Sequence, residues 1–248
     1  MRENRIKRKL ANGEVTSVIE GFHSPDILDY IGSLHCFDGA WIETEHGPYD
    51  FADIPDLSRA CDLWGMTPVV RVNQITPGVI YRTLDVGAQG IIMPHVNNAD
   101  EARQVVDASQ FHPLGQRGMF GSRQGYGDPD YLKKANDETL VVIMIEDIAA
   151  VEELDDILKV DGIDVFFVAP GDMSQSMGLL GQPFHPDVTA VMDDVIKRTT
   201  AAGRTPGTLA TLETIDHYID QGAKFIMTGW QAWLIEGAKD FMAKIPKS

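Results

Sequence analysis

Eight short stretches of the chain are nearly unbroken runs of apolar residues, and between them apolar positions return every three or four residues. The runs are VTSVIE (15–20), DGAWIE (38–43), TPVVRV (67–72), GAQGIIMP (87–94), LVVIMIE (140–146), DVFFVAP (164–170), TPGTLA (205–210) and KFIMTG (224–229). Rich in Val and Ile, they predict parallel strands buried on both faces. The text between them, such as SPDILDYIGSL, ADIPDLSRACDLWG, ADEARQVVDAS and IAAVEELDDILKV, predicts helices, with Pro or Asp near the starts and Gly past several ends. Eight strand–helix units in 248 residues predict an α/β fold, a (β/α)8 TIM barrel forming a single domain over 1–248. The rival, a doubly wound open sheet, lacks its G-x-G-x-x-G after the first strand.

Two segments break the rhythm. Residues 111–136 hold five glycines and no clear period, as expected of a long functional loop. The stretch QAWLIEGAKDFMAKI (231–245) reads as a helix that packs on its own barrel or reaches a neighbouring subunit.

Composition narrows the function classes. A net charge of −16 argues against a nucleic-acid partner and fits a soluble cytoplasmic protein. No run approaches the roughly 20 apolar residues of a membrane helix. The basic start, MRENRIKRKL, is followed by no apolar segment, so it is expected to be an amphipathic surface helix and not a secretory signal. Cys36 and Cys61 have no C-x-x-C spacing, which suggests a reducing compartment and no zinc cluster.

Barrel enzymes carry their chemistry at the C-terminal ends of the strands, and five ionisable residues fall there. Glu43 and His46 follow the second strand, in GAWIETEHGPYDF; Arg71 ends the third; Glu146 ends the fifth; Asp172 follows the sixth. Glu146 and Asp172 are far apart in the chain, but neighbouring strands lie about 4.8 Å apart, so their carboxylates can share a hard divalent cation. Their alternatives are structural, a helix cap for Asp172 and a salt bridge to an arginine for Glu146. Arg71 in a barrel mouth can hold a carboxylate or a developing oxyanion, or simply pair with Glu43 or Glu146. His46 has the side chain of an acid/base near neutrality, or is a loop histidine bonded to backbone. The spacing E-x-x-H occurs twice, as Glu20–His23 and Glu43–His46. A di-iron helix bundle needs such pairs on helices, and both copies here follow strand text. The ten lysines sit in the basic N-terminus, helices and loops, or, for Lys224, at the start of a strand. None is placed for Schiff-base chemistry, which favours a metal-dependent route.

Several segments together, WIETEHGPYDF, VVRVNQITPGVIYRTLDVGAQGIIMPHVNNADEA, GQRG, VVIMIEDIAAVEELDDILKVDGIDVFFVAPGDMS and MGLLGQPFHPDV, resemble the HpcH/HpaI aldolases from about residue 15 to residue 240. The resemblance implies a metal-dependent, class II aldolase that reversibly cleaves a 4-hydroxy-2-oxo acid, of the 2-keto-3-deoxy acid type, to pyruvate and an aldehyde. It implies a divalent cation (Mg²⁺, Mn²⁺ or Co²⁺) held by Glu146 and Asp172, with no organic cofactor. Arg71 would steady the enolate oxygen, and backbone amides at Gly171 and Asp172 would receive the pyruvate carboxylate. His46 would move a proton at the aldehyde end, with Glu43 as a wall beside the cation. Asp85 matches an aspartate that the family pairs with the histidine, although within one barrel it should lie near the opposite face. The resemblance also implies a homo-oligomer, a trimer or a hexamer built from trimers, with C-terminal helices exchanged. Three departures bear on substrate: Glu43 where Asp is common, Met144 where Gln is common, and a shorter loop after Gly118. Two further readings stay open. One is a CoA-ester lyase of the citrate lyase type, with Arg117 and Arg123 offered to the CoA phosphates. The other is a non-catalytic binder of 2-oxo acids, kept open by Met144.

Overall fold

The computed structural model describes residues 1–21 and 24–246, so His23, in the first E-x-x-H, lies outside the described residues. All eight apolar runs form strands: β1 (Thr16–Glu20), β2 (Gly39–Glu43), β3 (Thr67–Arg71), β4 (Gly90–Met93), β5 (Leu140–Ile145), β6 (Val165–Val168), β7 (Pro206–Leu209) and β8 (Phe225–Gly229). Each pairs in parallel with its sequence neighbours, and β8 pairs with β1 to close the barrel. Helices fill the connections, as the expected (β/α)8 architecture requires. The glutamates of the two E-x-x-H pairs, Glu20 and Glu43, end the strands β1 and β2 and do not stand on helices, which removes the basis of a di-iron bundle.

Side chains in a strand alternate between faces, and here the alternation divides the core in two. Val18, Trp41, Val69, Ile92, Leu140, Val142, Met144, Val165, Phe167 and Phe225 fill the barrel interior. Their neighbours of opposite parity, among them Ile19, Ile42, Val70, Ile91, Val141, Ile143 and Phe166, pack outward under the helices. The interior is dense with rings: Trp41 and Phe167 lie 5.1 Å apart and Phe167 and Phe225 6.0 Å, centroid to centroid. Continuing the inward parity along three strands gives Trp41–Glu43, Val69–Arg71 and Leu140–Val142–Met144–Glu146. The packing period that builds the core therefore aims these three polar side chains into the mouth.

The basic N-terminal segment is not a free surface helix. Residues Arg5–Ala11 form a helix whose Ile6 is fully buried and belongs to the interior cluster. Asn4 caps it and donates through Nδ2 to the carbonyls of Gln89 and Glu138. Its cations meet acids at the strand starts, with Arg5 2.8 Å and Lys9 2.9 Å from Asp38, and Lys7 3.0 Å from Asp164. The helix thus plugs the end of the barrel opposite the mouth. Truncating Ile6 to Ala is expected to cost about 2–5 kcal/mol, read as a lower denaturation midpoint at unchanged m-value.

The 111–136 segment is tied down by side-chain bonds. Arg117 pairs with Asp85 at 2.6 Å, Ser122 bonds the carbonyl of Leu84, and Arg123 reaches Ser58 and Asp62. It contains a short 3-10 turn, Arg123–Gly125, and ends in the helix Tyr131–Glu138. Leu84, Asp85 and Asp62 sit at helix ends that lead back to strand starts, so within one chain the segment lies away from the mouth. At the other terminus, Gln231–Ala243 forms the expected helix. None of its residues is buried, and Trp233, Leu234, Ile235, Phe241 and Met242 are exposed. Its contact with the barrel includes a Phe37–Trp233 stack at 6.2 Å. No helix among the described residues is long and apolar enough to cross a membrane.

Candidate active site

The C-terminal ends of the strands open into a cleft of about 620 Å³. Glu43, His46, Arg71, Glu146 and Asp172 all line it, together with Met144, Gly171, Trp41 and Phe167. The five strand-tip ionisable residues thus share one mouth. Asp85 is not among the lining residues. It sits near the end of the helix Pro77–Val86, bound to Arg117, and within this chain it does not meet His46. Arg117 and Arg123, offered above to CoA phosphates, are both buried and engaged with Asp85 and Asp62. That expectation is corrected: neither guanidinium lines the cleft.

Glu43 and Arg71 face each other directly in the β2–β3 register, and the guanidinium Nε donates to Glu43 Oε2 at 2.5 Å. Trp41 Nε1 donates to the same oxygen at 3.1 Å. The backbone N–H groups of Glu45 and His46 donate to Oε1 at 2.7 and 3.0 Å. Burial works against the charge of Glu43, but the Arg71 cation and these donors outweigh it and hold the carboxyl below its usual range. Glu43 therefore ties down both the arginine and the turn that carries His46. The imidazole itself is largely exposed, with Nε2 3.7 Å from Glu45 Oε2.

Arg71 also reaches Glu45, Nη1 to Oε2 at 3.0 Å, and its Nη1 lies 4.0 Å from the sulfur of Met144. Glu45 has fewer donors than Glu43, and burial, opposed by Arg71, His46 and His95, raises its pKa. One guanidinium is thus shared by two carboxylates of unequal basicity.

Glu146 lies deepest, 1% exposed. Its Oε1 accepts the backbone N–H of His95 at 2.9 Å, while Oε2 is buried without a hydrogen-bond partner. Burial pushes its pKa up to about 7, against the pull of the His95 N–H and ring, with Asp172 adding a smaller upward push. An unpaired buried carboxylate oxygen of this kind calls for a cation or a proton. Asp172 stands in the first turn of the helix Pro170–Ser176, whose N-cap is Ala169, so the capping alternative for Asp172 does not apply. One oxygen of Glu146, one of Asp172 and one ring nitrogen of His95 lie within 4.8 Å of one another. The donor set of two carboxylates and an imidazole fits a divalent ion.

Two members of this site were not assigned from sequence. Glu45 stood beside the assigned residues in TEHG without a role of its own. His95 follows Pro94, two residues past the end of β4, and the rule that found Glu146 at a strand tip would have reached it. Its positive φ of 52° turns it back toward the mouth, and nothing in the hydrophobic pattern signals that turn.

The family description HpcH/HpaI aldolase/citrate lyase matches residues 25–236. The chain belongs to the HpcH/HpaI aldolase/citrate lyase family. It is 38% identical over 213 residues to a 4-hydroxy-2-oxo-heptane-1,7-dioate aldolase of Salmonella dublin, covering 84% of this chain and 81% of that protein. Among solved structures, an HpcH/HpaI aldolase from Desulfitobacterium hafniense DCB-2 superposes with a TM-score of 0.87 at 28% identity, over 97% of each chain. The citrate synthase SbnG superposes with a TM-score of 0.86 at 27% identity, again over 97% of each. As a member of the HpcH/HpaI family with aldolase relatives, the chain is supported as a lyase of aldolase type.

Proposed function

We propose that this HpcH/HpaI protein is a divalent-metal-dependent aldolase that reversibly cleaves a 4-hydroxy-2-oxo acid to pyruvate and an aldehyde. The observation that carries the reading is the buried, unpartnered Oε2 of Glu146 beside Asp172, open to a cleft that also holds a fixed arginine. Glu146 and Asp172 would hold the cation, which when bound supplies Lewis acidity at the C2 carbonyl. Arg71, held by Glu43, carries positive charge toward the C2 oxygen, where negative charge grows as the C3–C4 bond breaks to leave the enolate of pyruvate. The amides of Gly171 and Asp172 would take the pyruvate carboxylate. A Cβ built at Gly171 meets nothing within 4 Å, which leaves room above that turn. His46, on the turn that Glu43 fixes, would accept the C4 hydroxyl proton and return it in the condensation direction. Met144, at the floor beside Arg71, packs against the pyruvate end without a strong polar contact of its own.

The CoA-ester lyase reading finds little support in the cleft, because Arg117 and Arg123 are spent on buried pairs elsewhere. For the assembly we adopt a homo-oligomer, a trimer or a hexamer, with the exposed apolar helix Gln231–Ala243 lodged on a neighbour. In such an assembly a neighbouring chain is the source from which an Asp85 could reach His46. The free cysteines, one exposed and one buried, are compatible with a cytoplasmic setting.

The test is solvent-deuterium exchange into the methyl group of pyruvate, followed by mass spectrometry. With Mn²⁺ or Mg²⁺ the protein is expected to label pyruvate. Labelling should stop on chelation and return when metal is restored. A protein that binds pyruvate without labelling it under any of these conditions is the binder of 2-oxo acids, and the aldolase assignment fails.

A further inference from the structure

We propose that His95 is a third protein ligand to the cation of Glu146 and Asp172, and that it turns the site's preference away from Mg²⁺ toward transition ions that favour imidazole. The inference rests on the metal-dependent reading above. Three observations support it independently of that reading.

The first is the backbone. His95 holds φ at 52°, a left-handed conformation uncommon for a residue with a side chain and costly unless the surroundings enforce it. That turn points the main-chain N–H at Glu146 Oε1, 2.9 Å away, and leaves the ring beside the same carboxylate, with Nδ1 3.8 Å from Oε1.

The second is the partner of the ring. Nδ1 lies 2.9 Å from Oδ2 of Asp147. A carboxylate can only accept, so Nδ1 carries the proton and Nε2 keeps its lone pair in the neutral ring. Nε2 lies 3.8 Å from Glu45 Oε1, on the rim of the same mouth. A turn of the ring toward Glu146 completes the order carboxylate, imidazole, metal, the usual support of a histidine ligand, which fixes the tautomer and raises the basicity of the free nitrogen. The residue that follows the ion-binding glutamate thereby acquires a task.

The third is spacing. A His95 ring nitrogen and one oxygen each from Glu146 and Asp172 lie within 4.8 Å of one another. Two ligands each about 2.1 Å from one ion stand at most about 4.2 Å apart. Closing the cluster on Nε2 asks the ring to move, and the His95 side chain, 45% exposed, has room to do so. An oxygen-only site suits Mg²⁺, whereas an added imidazole suits Co²⁺, Ni²⁺ or Zn²⁺, with Mn²⁺ accepted by both.

The experiment is pulsed electron paramagnetic resonance on the Mn²⁺-loaded wild-type protein, prepared with ordinary and with ¹⁵N-labelled histidine. Nitrogen modulation of the imidazole type is expected in the first sample and its ¹⁵N counterpart in the second. Both should vanish in His95→Asn, a substitution that tolerates the left-handed backbone. By titration calorimetry the same variant is expected to bind Co²⁺ at least about tenfold more weakly, while its Mg²⁺ affinity changes less than about threefold. Mn²⁺ that is bound, is lost in Glu146→Gln and shows no nitrogen coupling would overturn the role of His95 and leave the metal site standing. Nitrogen coupling that persists in His95→Asn would also overturn it. Failure of the wild type to bind Mn²⁺ at all would remove the metal reading together with this one.

Discussion

A Glu146→Gln variant is expected to fold normally, to lose tight Mn²⁺ binding, and to lose about a thousandfold or more of metal-dependent pyruvate release. The size follows from the Lewis-acid contribution, several kcal/mol of stabilised charge, at about 1.36 kcal/mol per tenfold in rate. The fold should survive because glutamine matches the shape of glutamate and removes a charge that burial already opposes. Its amide can still accept the His95 N–H. Circular dichroism and the denaturation midpoint check the first half of the expectation; calorimetry and a coupled pyruvate assay check the second. Activity within tenfold of wild type that is lost on chelation and regained with Mn²⁺ would mean that the carboxylate is a structural acid and the cation is held elsewhere.

Arg71 gives the second large effect, and it separates charge placement from ion binding. Removing a preorganised oxyanion partner lowers kcat by about 10²–10³, so Arg71→Ala is expected to fall in that range with Mn²⁺ affinity nearly preserved. The same change leaves Glu43 and Glu45 side by side without their cation, and breaking such a buried pair costs about 3–5 kcal/mol. A fall in activity could then come from a loosened mouth alone. The double variant Arg71→Ala with Glu43→Gln resolves the two causes. It should recover much of the lost stability, because the neutral amide can still receive the His46 and Glu45 N–H groups, and it should recover almost none of the activity. Recovery of both in parallel would make Arg71 a structural residue. Arg71→Lys should lie between, since an ammonium keeps the charge but cannot hold Glu43 and Glu45 while facing the substrate.

Much of this site could be read before any coordinates, and the reason is geometric. Parallel strands buried on both faces write themselves as Val- and Ile-rich runs, so all eight were visible, with ends misjudged by no more than a few residues. Once the barrel was inferred, strand ends became positions on a ring, and Glu43, Arg71 and Glu146 followed from their place at the C-terminal tips. What stayed hidden had no periodic signature. His95 depends on a left-handed turn after Pro94. Glu45 depends on how a loop folds back on Arg71. The plug at the barrel floor depends on one residue, Ile6, in a segment whose composition reads as solvated. The distant pairings of Arg117 with Asp85 and Arg123 with Asp62 link residues 32 and 61 apart, and no local rule connects them.

One consequence follows from β5. Leu140, Val142 and Met144 fill the interior and Glu146 ends the same row, so packing and ion holding share one reading frame. Deleting or inserting a single residue anywhere along this strand would swap its faces. The carboxylate would swing out under the helices in lockstep with the collapse of the interior. No one-step length change in β5 can therefore silence this chemistry and leave a sound barrel behind; for that, only exchanges of side chain at a fixed length are open.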